Sequence, residues 1–542
     1  MTADLLLTNA NVLTMDPSYP RASSVAVSGG RVVAVDPPSA PASSVVDLGG
    51  ATLLPGFRDA HNHMAWFGLS LSEVSLRVPS LADLYAAVAA RAAASPDGWV
   101  TGSGYDQNKI GGHPDRDALD RAAPGRRVWL RHTSGHMCVV SSAVLADLGI
   151  SSSAVDVPGG TVVTDESGRP TGLLLERAQE LVGQLVHPYP VSVLADAIDR
   201  AGQQYLSEGI TSVTEAGIGG GWIGHTPVEL AAYQTARDAG RLPVRVELMI
   251  ASDVLHPLGA HPSDDLELGL DLGIRTGFGD DWLRVGAMKV FTDGSLVGRT
   301  AAMTEPYAGS SSCGQLQGDA SSLRETIIAA HRSGWQVAAH AIGDAAIDLV
   351  LDAYSSAASE YPRAGTRHRI EHFAVVRPDQ LARAASLGLV PVPQGRFASE
   401  LGDGMLAALD PSRHDLLYRQ RSLLAAGMVL PGSSDRPVVA GAPLLGIHDM
   451  VNRVTASGAP FNQGEAITPF EALRAYTAGS AYASRAESRV GTIAPGMLAD
   501  LVVLSEDPTG VDPSRIASIE VLATYVDGER RWVSDKATFV AG

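Results

Sequence analysis

Residues 4–50 set short β-prone runs, Leu5-Leu6-Leu7, Ser24-Val-Ala-Val27, Arg31-Val-Val-Ala-Val35 and Val45-Val46, between turn residues such as Asn9-Ala-Asn11, Gly29-Gly30 and Gly49-Gly50. Apolar runs broken at such short intervals predict a small antiparallel sheet rather than a βαβ unit. The far end repeats the pattern in Ala499-Asp-Leu-Val-Val-Leu504, Val521-Leu-Ala-Thr-Tyr-Val526 and Arg531-Trp532-Val533. Both ends are therefore expected to build one β-sandwich around a different middle.

In that middle an apolar run is followed, again and again, by a segment of helical period. The run Ala51-Thr-Leu-Leu54 and its continuation to His63 read as a first buried strand. Further strands are expected over 210–215, 244–250, 285–292, 335–340, 368–372, 389–394 and 428–433, with helices such as 194–207, 228–239, 323–333 and 345–358 between them. Eight such units predict an α/β chain folded as a (β/α)8 TIM barrel, whose active site lies at the C-terminal ends of the strands. Residues 68–193 break the rhythm after the first strand and are expected to form an inserted subdomain or lid over that face. The expected division is 1–56 and 488–542 for the two parts of the sandwich and 57–487 for the barrel. The Ser-rich patches 151–153 and 310–312 read as solvated loops.

Composition narrows the function. The chain has 542 residues, a net charge of -18 and a pI near 5.2, which argue against nucleic acid as a partner because phosphate binding needs a basic face. No run of about 18 apolar residues is present to span a bilayer, so no membrane partner is expected. The start, Met1-Thr-Ala-Asp-Leu-Leu-Leu, lacks the basic and long apolar regions of a signal peptide, and a cytoplasmic location is expected. The two cysteines, Cys138 and Cys313, are expected to be reduced and structural. Lysine occurs only at Lys109, Lys289 and Lys536, arginine supplying the rest of the positive charge. A lysine kept in such a chain marks a place where arginine cannot serve, and Lys289 is the candidate.

Chemistry-bearing side chains fall at the expected strand ends. Strand one ends His61-x-His63, strand four carries Lys289, strand five ends at His340, strand six at His372, and strand eight leads to Asp435. Side chains two apart on a strand share a face, so His61 and His63 can converge on one cation. Neutral imidazole and carboxylate suit Zn²⁺ and similar divalent ions. An ammonium would repel them, so Lys289 fits beside a metal only as a CO2-derived carbamate, whose two oxygens can bridge two ions. Two such ions would share a hydroxide nucleophile, with Asp435 as general base and then acid.

These motifs are Pro55-Gly-Phe-Arg-Asp-Ala-His-Asn-His63, Met288-Lys-Val-Phe-Thr-Asp-Gly-Ser295, His340-Ala-Ile-Gly-Asp344, Arg369-Ile-Glu-His372, Gly432-Ser-Ser-Asp-Arg-Pro-Val438 and Gly491-Thr-Ile-Ala-Pro-Gly-Met-Leu-Ala-Asp-Leu-Val-Val-Leu504. Together they resemble the amidohydrolase superfamily, and more narrowly amidohydrolase family 3, the branch that includes N-substituted formamide deformylase. The resemblance implies a metal-dependent hydrolase of a small-molecule amide, with one or two divalent ions. It implies His61, His63, Lys289, His340, His372 and Asp435 as metal residues. In this branch a Gly-His motif of the insert faces the active site, which implies His136 as a substrate contact. Gly172-Leu-Leu-Leu-Glu176 resembles another family segment that implies no role for Glu176. Asp293 and Arg299, just past strand four, could bind an anionic substrate group, orient the metal site or form a structural ion pair. The doubled serine before Asp435 departs from the single-serine versions common in the family. The fold commonly assembles as a dimer or larger homo-oligomer.

A mononuclear deaminase on the same barrel is the alternative enzyme; deaminases of that type lack a ligand lysine. A non-catalytic scaffold is the alternative outside enzymes. Trp66, Phe67, Trp99, Tyr105 and Trp129, in and beside the insert, suit either an apolar substrate or core packing.

Overall fold

The computed structural model describes residues 2–38, 41–95, 97–150, 155–221 and 223–541. Seven strands form the central sheet: β1 (Phe57–Asn62), β2 (Ile210–Ile218), β3 (Arg245–Ala251), β4 (Leu283–Phe291), β5 (Val337–Ala341), β6 (Arg369–His372) and β7 (Val390–Val392). Each pairs in parallel with the next one along the sheet. Strands buried on both faces need near-continuous apolar runs, and β2 and β3 are buried throughout. Helices cover the outside. In the helix Val191–Ser207, Leu194, Ile198, Ala201 and Tyr205 recur at helical spacing and all face the core.

The expected eighth strand is a correction, because 428–433 forms no strand. Pro431 has no N–H to give to a ladder and Asp435 adopts a φ of 59°, so the segment cannot run extended. It still closes the barrel. The Ala60 N–H donates to the Gly432 carbonyl (3.0 Å), the Asp435 N–H to the His61 carbonyl (2.7 Å) and the His63 N–H to the Arg436 carbonyl (2.8 Å). On the other side the Ser433 hydroxyl donates to the Pro393 carbonyl (3.1 Å) and accepts from Gln394 (3.3 Å).

The first strand also differs from expectation. The chain changes sheets at Gly56, where Thr52–Pro55 in a terminal sheet gives way to β1. A Cβ at Gly56 would lie 2.3 Å from the Thr211 side chain, so only glycine fits the crossing. Two terminal sheets flank this point, one of five strands and one of six, each drawing on both ends of the chain. They are mixed rather than antiparallel, since Ala3–Thr8 runs parallel to Ala42–Asp47 and Asn11–Leu13 parallel to Thr52–Pro55. Leu7, Val27, Leu53, Leu501, Val503 and Tyr525 share one apolar cluster between them. Arg245 at the start of β3 ties barrel to terminal sheet through Asp500 (2.7 and 3.0 Å).

Between β1 and β2, strands from Val74–Ser75 to Pro170–Glu176 build a separate seven-stranded mixed sheet with its own apolar clusters. Cys138 is a free thiol buried there, and burial pushes it up to about 12, as expected of a structural cysteine; Cys313 is also free. Residues 310–312 are an exposed loop, whereas 151–153 lie outside the described residues. Among the described residues no helix is long and apolar enough to cross a membrane.

The crossing at Gly56 predicts that Gly56→Ala lowers stability by about 1–3 kcal/mol through overpacking. Thermal unfolding of Gly56→Ala and of Gly56→Ala/Thr211→Ala checks this, the second change recovering part of the loss.

Candidate metal centre

His61 stands in β1, and His63 follows it as the residue that starts the helix Met64–Ser70. Their rings are 5.5 Å apart, and both reach one oxygen of Asp435: His61 Nε2 at 3.3 Å and His63 Nε2 at 3.1 Å from Oδ1. His372, at the end of β6, lies 5.1 Å from His61 and 4.5 Å from His340, ring to ring. His61, His372 and Asp435 each bring one ligand atom to within 4.8 Å of the others. Lys289 from β4 lines the same cavity, its Nζ 4.7 Å from the centre of the Phe291 ring. All six expected metal residues thus meet at one end of the barrel, lining a single small cavity. The doubled serine does not displace Asp435 from it. Ser433 holds β7 and Ser434 holds Asp59 instead.

Each ring is oriented by a partner behind it. His61 Nδ1 sits 2.5 Å from Glu371, whose carboxylate is held by Arg369 at 2.7 and 3.0 Å. The Gln394 carbonyl oxygen fixes His372 Nδ1 at 2.8 Å, and the Gly294 carbonyl fixes His340 Nε2 at 3.1 Å. His63 Nδ1 faces Glu215 at 3.6 Å. Such outer partners set the tautomer of a ligating histidine and point its other nitrogen at the ion. Sequence reading missed Glu371, Arg369, Gln394, Glu215 and Asp59. A signal existed in Arg369-Ile-Glu371, two charges two residues apart on one face of a short strand, both of which the fold buries completely.

The donor set fits a divalent cation. His61 Nε2, His340 Nδ1 and Lys289 Nζ are buried and make no hydrogen bond, an arrangement that costs free energy unless something meets those atoms. Burial pushes His372 down to about 3, despite the nearby Asp435 carboxylate, and holds His340 well below the usual histidine range, so both are neutral. Burial also pushes the Lys289 ammonium down to about 8, against the pull of Glu371 and Asp435. For Asp435 burial works the other way, but the contacts with His61 and His63 override it and hold the carboxyl far below its usual range. Strain gathers here too. His372 (φ 69°) and Asp435 (φ 59°) both sit in the left-handed region, which costs non-glycine residues about 1–3 kcal/mol each and clusters at functional sites.

The remaining expected residues divide. His136, from the insert, lines the cavity, its ring 5.3 Å from His340 and its Nδ1 2.8 Å from Glu176. Burial disfavours the His136 imidazolium, yet the Glu176 carboxylate, with Asp293 and Asp435, raises it above the usual range. Asp293 does not line the cavity. Its oxygens accept from the backbone N–H groups of Ile342 (3.1 Å), Ala302 (3.0 Å) and Gly343 (2.8 Å), with His340 Nε2 at 3.5 Å, so it orders the loop behind the histidine. Burial pushes the Asp293 carboxyl up to about 7. Arg299 is outside the cavity as well, donating to the carbonyls of Ala308 (3.0 Å) and Ala407 (3.2 Å).

A second, larger space adjoins the first. It holds about 510 Å³ and is bounded by insert residues Trp129, Arg131 and His187 and by the loop after β2, including Ile223 and His225. Trp66 and Ile223 line both spaces. The Arg131 guanidinium lies 5.8 Å from the Trp66 ring and 4.7 Å from the Trp129 ring, and pairs with Glu73. Trp66 and Trp129 are therefore cleft walls, while Trp99 and Tyr105 pack inside the insert and Phe67 stacks on Tyr205. Glu371→Gln is expected to weaken retention of a divalent ion about 10–100-fold by loosening His61, measured as metal per chain after dialysis against graded chelator.

Residues 44–531 match the sequence model of the Amidohydrolase family. N-substituted formamide deformylase of Arthrobacter pascens is 32% identical over 554 residues, covering 98% of each chain. A metal-dependent hydrolase from Pyrococcus horikoshii OT3 superposes with a TM-score of 0.73 at 26% identity, over 94% of this chain and 99% of that one. Another from Pyrococcus furiosus superposes with a TM-score of 0.70 at 29% identity, over 93% and 99%. With the barrel, the converging imidazoles and these likenesses together, the chain belongs to the amidohydrolase family and is a metal-dependent hydrolase of carbon–nitrogen bonds.

Proposed function

We propose that the protein hydrolyses the amide of a small N-substituted formamide, releasing formate and an amine. The observation that carries this reading is the pairing of two unequal spaces. The ligand cluster faces a small cavity, whereas a cleft of about 510 Å³ opens beside it past Trp66 and Ile223. A one-carbon acyl group suits the inner space, and a bulky apolar N-substituent suits the cleft with its Trp66 and Trp129 walls. The relative from Arthrobacter pascens, named for that activity, supports the choice.

His61, His63, His340, His372, Asp435 and Lys289 would hold the metal, zinc being the candidate. A divalent ion there would supply Lewis acidity and bring the pKa of water from about 15.7 towards 7. Asp435 takes a proton from the water that adds to the carbonyl carbon. It then delivers that proton to the nitrogen as the C–N bond breaks. Lys289, brought down to about 8 by burial, has enough neutral amine near neutral pH to react with CO2, and its carbamate would supply anionic oxygens for the metal. A homo-oligomer, with the sandwich from both termini set against the barrel, completes the proposal.

The mononuclear deaminase reading is favoured by one observation. Among the described residues His61, His372 and Asp435 bring ligand atoms within 4.8 Å of one another, a set that could hold a single ion. Metal content of protein expressed with zinc and bicarbonate separates the two. Close to two ions per chain, falling in Lys289→Ala, is expected; one ion unaffected by that change would move deaminase substrates to the front. On a matched panel, kcat/KM for an N-arylmethyl formamide should exceed that of the acetamide by about tenfold or more, a rejected methyl being worth about 1–3 kcal/mol. Equal rates would sink the small-acyl reading.

A further inference from the structure

Glu176 closes the insert strand Pro170–Glu176 and is fully buried. Its backbone N–H donates to the His136 carbonyl (2.7 Å), and its Oε2 accepts from His136 Nδ1 (2.8 Å). The same oxygen accepts from Gln317 Nε2 at 2.5 Å, and Gln317 is tied through its own N–H to the Thr292 carbonyl just past β4 (2.9 Å). Gln179 adds a clasp from behind, donating to the carbonyls of Gly135 (2.9 Å) and Glu176 (3.3 Å). The other oxygen, Oε1, has no hydrogen bond and packs over Gly294, where a Cβ would come within 2.5 Å of it. Gly294 is also the residue whose carbonyl orients His340. Glu176 holds this place at a φ of 51°, an unfavourable backbone for a residue with a side chain. The insert and the β4 loop thus commit a buried carboxylate and a strained residue to the direction of one imidazole.

We propose that Glu176 is a positioning residue for the hydrolysis: as hydrogen-bond acceptor for His136 Nδ1 it fixes the ring at the cavity wall, so that Nε2 meets the carbonyl oxygen of the amide as that oxygen gains charge. The proposal rests on the hydrolase reading above for its substrate, and on geometry alone for its residues. Because Oε2 takes both bonds and Oε1 takes none, an amide in place of the carboxyl keeps the acceptor where it is needed. Acceptor geometry, rather than a full negative charge, is what the ring requires.

Zinc-loaded Glu176→Leu is expected to lose about 10²-fold in kcat, the size expected when one donor to a developing oxyanion is misplaced, with KM and metal content within about threefold of wild type. Glu176→Gln should stay close to wild type. In a His136→Ala background Glu176→Leu should cost nothing more, because the residue acts through that ring. Crystal structures of the variants should show the His136 ring turned away in Glu176→Leu and kept in place in Glu176→Gln. If Glu176→Leu does not fold, Glu176→Ala takes its place. An unmoved ring, full activity, or a further loss in the His136→Ala background would each overturn the proposal. Should wild type prove inactive on every formamide, the formamide reading falls, while the ring orientation still decides for or against Glu176 as its anchor.

Discussion

A buried carboxylate must find donors, and Asp59 finds them in the site itself. Its Oδ1 accepts from the backbone N–H of His61 (3.1 Å) and of Ser434 (3.0 Å), and its Oδ2 accepts from the Ser434 hydroxyl. Burial pushes the Asp59 carboxyl up, so these donors are what stabilise its charge, helped by Arg436. One group therefore fixes β1 and the closing segment 432–436 to each other. Asp435 next door comes to rest against His61 and His63 as a result. An eighth strand would have closed the barrel by a ladder of backbone bonds. Closure by three backbone bonds and the Asp59 carboxylate, short of a regular ladder, lets the backbone at Asp435 take a left-handed turn and set its carboxylate against His61 and His63.

That arrangement explains where sequence reading succeeded and where it stopped. Strands β2 to β5 and β7 were legible within a few residues from their β-prone runs, whereas β1 and β6 carry Arg58, Asp59, Arg369 and Glu371 and were marked by the histidines at their ends. The six ligand-type residues were legible because they sit at strand ends in a chain sparing with lysine. The closing segment was read as a strand because its apolar content is that of one; Pro431 and the turn at Asp435 decided otherwise. Gly56 hid a change of sheet, since extended chain continues on both sides of Pro55-Gly56 and only the Thr211 contact shows the crossing. The outer partners were harder still. Glu371, Gln394 and Glu215 lie in different strands or at their ends, and only the fold brings each behind its histidine.

The same logic separates His136 from Asp293 and Arg299. All three are polar residues near glycines, alike in a linear reading. Asp293 gives its oxygens to three backbone N–H groups, and Arg299 directs its guanidinium to two carbonyls. Polar side chains that satisfy loop backbone are pinned, and those atoms are no longer available to a substrate. His136 has its Nδ1 pinned by Glu176 and its ring on the cavity wall. What distinguishes a site residue is which of its atoms face the cavity once the loops around it have been satisfied.

Lys289 carries this reasoning to its end. The chain uses arginine for nearly every cation, and several of its buried arginines have carboxylate partners: Arg369 holds Glu371, Arg245 holds Asp500, Arg58 faces Glu247. Lys289 Nζ is as deeply buried, yet it makes no hydrogen bond and rests against the Phe291 ring. A guanidinium in that place would stay charged at any pH a protein meets. An amine can shed its proton, which burial at this position encourages. The basic group that the barrel places among the imidazoles is thus of the type that can become neutral, and a neutral amine is the form that can stand beside a metal or combine with CO2.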